Sequence, residues 1–320
     1  MISDKTVVLN AEKVDYDGKA GYEGIASEVT VYMDTPQDQI LERVEGYTVV
    51  VTKEMPVPGD IIRQFPDSVR LICEAGTGYN NIDLSAAMAK GITVCNVPDY
   101  STQRVAQTVM LLMLELASSM TKQHRMLARG DHSNFTDHLS VEHIELNEKT
   151  LGVIGTGNIG MEVIRIAQAM DMRILAKAHH KKEDSCGIHY VSLDELLRES
   201  DFISLHCPLT KETRHMIDER ALSLMKPSSF IINTARGALI DEQALIKALK
   251  EGKIAGAGLD VQETEPPAED SPLYTLDNVV LTPHMGWRGL ETRRRLVSKV
   301  GEDIKAFCSG HPINVIVPGR

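Results

Sequence analysis

Arg236 lies in FIINTARGALID, Glu265 in GLDVQETEPP and His284 in LTPHMGW, each just beyond an apolar run that reads as a strand. These residue types suit proton transfer beside a carboxylate. A histidine gives or takes a proton near neutral pH. A carboxylate on its second ring nitrogen orients the ring and favours the protonated form. An arginine fork pairs with a substrate carboxylate and polarises an adjacent carbonyl. In an open parallel sheet, loops at the carboxyl ends of strands line the ligand crevice, so three such loops can converge. Singly, each residue has a plainer reading: a surface ion pair for Arg or Glu, a satisfied polar group for His.

A second motif supplies the missing partner. LGVIGTGNIG carries Gly155, Gly157 and Gly160 as G-x-G-x-x-G, after an apolar strand and at the opening of an apolar-periodic helix, the context that a dinucleotide site requires. Gly155 permits the tight turn, Gly157 lets backbone approach a pyrophosphate, and Gly160 allows close helix–strand packing. Asn158 and Ile159 open the helix whose N-terminus faces the phosphates. A nicotinamide dinucleotide together with Arg, Glu and His points to hydride transfer at a 2-hydroxy acid carbon. About 20 residues on, an acid would bind the adenosine ribose. The sequence there is ILAKAHHKKED, with Ala178 in the acid's place and His179, His180, Lys181 and Lys182 after it. That favours NADP(H) slightly over NAD(H); a solvated basic turn would look the same.

These residues need a scaffold. Short β-branched runs at 6–9, 29–31, 48–51, 71–73 and 92–95 alternate with helical patterns at 36–45 and 83–90, the second stopped by Gly91. Ser101 then caps a long helix, TQRVAQTVMLLMLELASSM, apolar nearly all round and therefore buried on several sides. Residues 121–149 are polar and weakly periodic, and read as an irregular arm. From Lys149 the alternation restarts, with strands at 151–154, 173–176, 202–205, 230–233, 256–259 and 279–281. A last helix, about 290–308, comes too late for that sheet and fits the first domain. Strands alternating with helices imply parallel pairing, so the expected fold is α/β, with two doubly wound parallel-sheet domains.

Composition excludes other classes. The 320 residues suggest about two domains. With 34 Lys and Arg against 45 Asp and Glu, the net charge is −11. An acidic chain suits neither nucleic acid nor an anionic membrane as partner. The apolar run at 109–114 is far short of the ~20 residues of a membrane span, and MISDKTVVLN has no signal-peptide layout. Five scattered cysteines without a CxxC spacing fit a reduced, cytoplasmic protein. His132, His138 and His143 do not share a helical face, and no metal is expected.

Several segments in order carry a resemblance over nearly the whole chain: GTGYNNID at 76–83, VAQTVMLLMLEL at 105–116, LGVIGTGNIG at 151–160, SDFISLHCPLT at 200–210, INTARG at 232–237, GLDVQETEPP at 258–267 and LTPHMGW at 281–287. The sequence resembles the D-isomer-specific 2-hydroxyacid dehydrogenases. Its Trp287 and VAQ helix look most like glycerate dehydrogenase/hydroxypyruvate reductase-type members, and it departs from common patterns at Thr108 and His132. The resemblance implies Arg236, Glu265 and His284 as the catalytic set. It implies a Rossmann nucleotide-binding domain, 102–287, inserted into a flavodoxin-like substrate domain formed by 1–101 and 288–320, with the active cleft between them. It also implies a homodimer built on the nucleotide domain and the arm. Backbone amides at Thr77 and Gly78 would hold the substrate carboxylate beside Arg236 and His284. Cofactor contacts are implied at Cys207, Pro208, Thr234, Ala235 and Asp260.

The expected activity is NAD(P)-dependent interconversion of a small D-2-hydroxy acid and its 2-oxo acid, of the glyoxylate or hydroxypyruvate kind, with His284 as acid/base. A non-catalytic, corepressor-like dinucleotide sensor is the alternative, because such relatives keep the same three residues. The acidic charge and the lack of a basic tail favour the enzyme.

Overall fold

The computed structural model describes residues 3–180 and 183–319. By its contacts the chain divides into two compact units, 102–286 and the pair of segments 1–101 and 287–320. Among the described residues the strands of the first unit are β1 (Thr6–Val8), β2 (Val29–Val31), β3 (Val49–Thr52), β4 (Leu71–Glu74) and β5 (Thr93–Asn96). The second holds β6 (Thr150–Ile154), β7 (Arg173–Lys177), β8 (Ile188–Tyr190), β9 (Phe202–Leu205), β10 (Phe230–Asn233), β11 (Gly256–Leu259) and β12 (Val279–Leu281). The last, β13 (Val315–Val317), belongs to the first.

The second unit is one parallel sheet in the order β12-β11-β10-β9-β6-β7-β8. Strand order reverses between β6 and β9, which is the Rossmann arrangement, and ligands bind at the carboxyl ends beside that reversal. β9, β10 and β11 are buried throughout, as expected for strands covered on both faces. The helix Thr102–Ala117 buries Val105, Val109, Leu112, Met113 and Leu116. It lies against the glycines of β11, where a Cβ on Gly258 would stand 2.9 Å from Leu112 Cβ. Leu111 and Leu114 remain exposed.

The arm expected at 121–149 is partly helical. Ser119 takes a positive φ of 47°, and a new helix runs Met120–Ala128, with one further turn at Ser133–Thr136. None of that helix's residues is buried, so it lacks the apolar stripe by which sequence reveals a helix. Arg125 anchors it, donating to Leu276 O at 2.9 Å and Asp277 Oδ1 at 2.6 Å.

The first unit orders its strands β13-β5-β4-β3-β1-β2, parallel except for β13, which runs antiparallel to β5. The order 2-1-3-4-5 of its first five strands is flavodoxin-like. The helix Leu84–Lys90 begins where Asp83 accepts from Ala86 N at 3.0 Å and ends at Gly91, φ 70°. The helix expected at 36–45 splits into a 3-10 turn, Gln37–Gln39, and a short helix, Ile40–Arg43.

The last helix, Leu290–Cys308, counts with the first unit. Arg293 on it is nearly fully buried. Its fork donates to both oxygens of Asp17 at 2.8 Å and to Val14 O at 2.9 Å, holding the Asp17 carboxyl down at about 2. Trp287 also belongs here, with its ring 6.3 Å from Tyr100 and Lys53 Nζ 4.2 Å from its centroid. The break in contacts therefore falls one residue before the boundary drawn at 287 from sequence.

Asp303 lies under the same helix, fully buried, with Oδ1 accepting from Asn314 Nδ2 at 2.8 Å and Oδ2 without a partner. Burial pushes its carboxyl up to about 6, against the Asn314 hydrogen bond; Glu302 and Asp99 push the same way and Lys299 opposes them. The folded chain therefore binds this proton more tightly than the unfolded one. The penalty for the ionised carboxylate grows as pH rises from about 4 through 6 and is constant above. Asp303→Asn is expected to raise unfolding free energy by roughly 2 kcal/mol at pH 8 and by little at pH 4. Denaturant melts at the two pH values check this, and equal effects at both would refute it.

Candidate active site

The six segments that carry the expected site residues of the second unit all leave the carboxyl ends of its strands. After β6, Gly155 turns with φ 99°, and a Cβ there would stand 2.7 Å from Cys207 N and the His206 carbonyl carbon. A Cβ on Gly160 would run into Gly155 O. These two glycines serve close packing of the chain on itself. Gly157 differs: a Cβ there meets nothing within 4 Å. It is the N-cap of the helix Asn158–Ala169 and brings no side-chain cap. The first amides of a helix, Asn158 and Ile159 among them, lack intrahelical acceptors, so this end suits an anionic group.

The neighbouring loops complete a cradle. Burial pushes the Cys207 thiol up to about 11 and His206 down to about 4, so both are neutral, with His206 Nε2 2.8 Å from Ser204 Oγ. The hydroxyl of Thr234 is buried without a partner, an orphaned polar atom of the sort a bound ligand satisfies. Pro208 O accepts from Thr213 Oγ1 at 2.7 Å. Open space at Gly157, uncapped amides and the orphaned Thr234 hydroxyl together fit a dinucleotide. After β7, Ala178 is followed by His179 and His180, whose rings meet edge-on at 4.6 Å. Lys181 and Lys182 lie outside the described residues.

After β10, the buried Asn233 holds the next turn. Its Nδ2 donates to Arg236 O at 2.9 Å and its Oδ1 accepts from Ala235 N at 3.0 Å. The Arg236 guanidinium turns back on Ala235 O at 2.7 Å. Gly237 then lies flat on the next loop, where a Cβ would run into the Gln262 carbonyl.

After β11, Asp260 is 1% exposed. Its Oδ1 accepts from Thr282 Oγ1 at 2.6 Å and Met285 N at 2.8 Å, and its Oδ2 from Gly286 N at 2.8 Å. The carboxylate thus grips the loop after β12 on both sides of His284, which has a positive φ of 49°. Glu265 Oε1 accepts from Gln262 N at 3.1 Å, and Oε2 lies 2.8 Å from His284 Nδ1. The structure brings Glu265 and His284 together as an oriented pair. With Nδ1 on the carboxylate, Nε2 is the nitrogen left to exchange a proton.

Thr77 and Gly78 lie in the first unit, in the loop after β4. That loop is tied to the end of β5: Thr77 Oγ1 donates to Val97 O at 3.0 Å, Asn96 Nδ2 to Thr77 O at 2.7 Å and Val97 N to Gly76 O at 2.9 Å. Sequence reasoning missed Asn233 and Gln262. Asn233 had a visible signal as a polar residue closing an apolar strand, whereas Gln262 acts through its backbone amide, which almost any residue carries. Among the described residues, no group of three His, Cys, Asp or Glu could hold a metal ion, and no helix is long and apolar enough to cross a membrane.

Comparison with known proteins agrees with this geometry. Residues 110–286 match the family described as D-isomer specific 2-hydroxyacid dehydrogenase, NAD binding domain. A hydroxypyruvate reductase of Blautia hydrogenotrophica is 37% identical over 288 residues, 88% of each chain. A D-lactate dehydrogenase of Aquifex aeolicus, solved with NAD and lactic acid, superposes with a TM-score of 0.86 at 32% identity, over 99% of this chain and 100% of that one. An NADPH-dependent glyoxylate/hydroxypyruvate reductase of Sinorhizobium meliloti, solved with NADP and malonate, gives 0.85 at 26% identity over 99% of both. An oriented imidazole–carboxylate pair over a Rossmann sheet, in a chain so matched, places this protein in the D-isomer-specific 2-hydroxyacid dehydrogenase family.

Proposed function

We propose that the protein interconverts a small 2-oxo acid, of the glyoxylate or hydroxypyruvate kind, and its D-2-hydroxy acid. The observation that carries this reading is the 2.8 Å contact between His284 Nδ1 and Glu265 Oε2, on a loop pinned by Asp260. The nicotinamide cofactor, when bound, supplies or accepts the hydride at the carbon bearing the oxygen. His284 Nε2 gives its proton to the carbonyl oxygen as the hydroxyl forms, and takes it back in the reverse direction. Glu265 orients the ring through its contact with Nδ1. Arg236 provides a fork for the carboxylate and polarises the adjacent carbonyl. The amides of Thr77 and Gly78 are proposed as further carboxylate donors. Cys207, Pro208, Thr234, Ala235 and the backbone from Gly155 to Gly160 are proposed to hold the cofactor; the Asp260 carboxylate serves the His284 loop first.

For the cofactor we favour NADP(H), because Ala178 stands where an acid would repel a 2′-phosphate and His179 and His180 follow it. For assembly we favour a homodimer. Leu111 and Leu114 lie three apart on one helix at 46% and 45% exposure, and Phe135 in the arm is 79% exposed, apolar surface that a second copy would cover. Free thiols at Cys73 and Cys95, partners in register on β4 and β5, suit a reducing cytoplasm.

Purified protein is expected to oxidise NADPH with glyoxylate or hydroxypyruvate faster than with bulkier 2-oxo acids; no turnover with any 2-oxo acid would sink the reading. His284→Ala is expected to lower kcat by about 10²–10⁴-fold, measured by cofactor absorbance. NADH preferred over NADPH by about tenfold, a difference of about 1.4 kcal/mol, would overturn the cofactor assignment. Light scattering on a sizing column is expected to give twice the chain mass, and the monomer mass for a Leu111→Glu, Leu114→Glu double variant. A wild-type monomer would refute the dimer.

A further inference from the structure

The turn that carries Glu265 is held by a second charged cluster. Glu263 Oε1 accepts from His215 Nε2 at 2.7 Å and from Arg214 Nη2 at 2.8 Å. Glu263 N donates to Glu242 Oε2 at 3.0 Å. His215 lies beyond β9 with a positive φ of 51°, a conformation uncommon among non-glycine residues. Its own amide donates to Ala238 O at 2.8 Å, two residues after Arg236. Four residues before Arg214, Thr210 N donates to Thr213 Oγ1 at 2.8 Å, and that hydroxyl donates to Pro208 O at 2.7 Å.

One residue, His215, therefore touches three loops: its chain continues the Cys207–Pro208 loop, its amide holds the Arg236 loop and its ring holds the Glu265 loop. Glu263 is where the last contact is made. Glu265 bonds to Gln262 N, so the turn from 262 to 265 moves as a unit, and any slack at Glu263 reaches the carboxylate that orients His284. Misplacing a reacting group by about 1 Å costs on the order of 10²-fold in rate.

We infer that Glu263, clamped by His215 and Arg214, is a positioning residue that sets the alignment of Glu265 on His284. It touches none of the reacting atoms and acts through the turn. The groups facing it are Arg214, His215 and the Glu242 carboxylate on its backbone amide. The inference rests on the proton-transfer reading of His284, and its test separates the two.

In Glu263→Ala, kcat for 2-oxo acid reduction is expected to fall by about ten- to a hundredfold, with the KM for cofactor changed by less than about threefold, a difference of about 0.65 kcal/mol. Glu263→Gln, which keeps an acceptor for His215, is expected to recover most of the rate. The Nδ1 proton of His284, followed by NMR without substrate, is expected to lose its downfield, hydrogen-bonded position in Glu263→Ala. Should that variant not fold, Arg214→Met, which removes only the outer partner, is expected to move both readouts in the same direction by less. An unmoved His284 Nδ1 proton signal would overturn the inference even if kcat fell, since the cluster would then serve stability alone. An inactive wild type whose His284 Nδ1 signal still moves in Glu263→Ala would refute the proposed function and leave the positioning role standing.

Discussion

The candidate site hangs on the carboxylate of Asp260. It is buried at the end of β11 and takes three donors from the loop after β12: a hydroxyl at Thr282 and two consecutive amides at Met285 and Gly286. A buried carboxylate without partners is strongly disfavoured, so the loop must present those donors. That requirement fixes His284 between them, in a backbone conformation it would not otherwise choose. It also dictates glycine at 286, where a Cβ would lie 2.7 Å from Asp260 Oδ2. One residue later the chain enters the first unit at Trp287. The same three hydrogen bonds thus aim the imidazole and set the direction in which the chain leaves the sheet.

Much of this was legible in the sequence, for a physical reason. Buried parallel strands need continuous β-branched or aliphatic runs, so β3, β4, β9 and β10 announce themselves. Asp83 and Gly91 bound a helix because a capping carboxylate and a left-handed glycine do the same work in any fold. The pairing of Glu265 with His284 was readable because strand ends in an open sheet converge, whatever their separation. Three kinds of feature were not legible. Short edge strands such as β8 and β13 have too few residues to show a period. The helix Met120–Ala128 buries nothing, so its residues have no face to mark. The His215–Glu263 contact joins residues 48 apart, and only the sheet order brings them together.

The glycines show how one residue type answers to different constraints. At Gly155, Gly160 and Gly237 the missing side chain makes room for the chain's own backbone. Substitution there would push loops apart, and the carboxyl ends of β6, β9, β10 and β11 would lose their mutual register. At Gly157 nothing of the chain is near, and the residue opens the helix Asn158–Ala169 without a side-chain cap. G-x-G-x-x-G therefore combines two packing glycines with one that leaves the first amides of a helix uncovered.

A net charge of −11 is, on average, ill suited to two anionic ligands, a dinucleotide and a carboxylate. Screening resolves the conflict. At physiological salt, charges more than about 8 Å apart in solvent hardly feel one another, so the surface average does not decide binding. What decides it is the field within a few ångströms of the ligand. At these strand ends the chain carries the uncapped amides of the helix Asn158–Ala169 and the Arg236 guanidinium. Three carboxylates of the same loops are already committed: Asp260 to three donors, Glu265 to His284 and a backbone amide, Glu263 to Arg214 and His215. Each of these three acids is held by a donor that also fixes a loop.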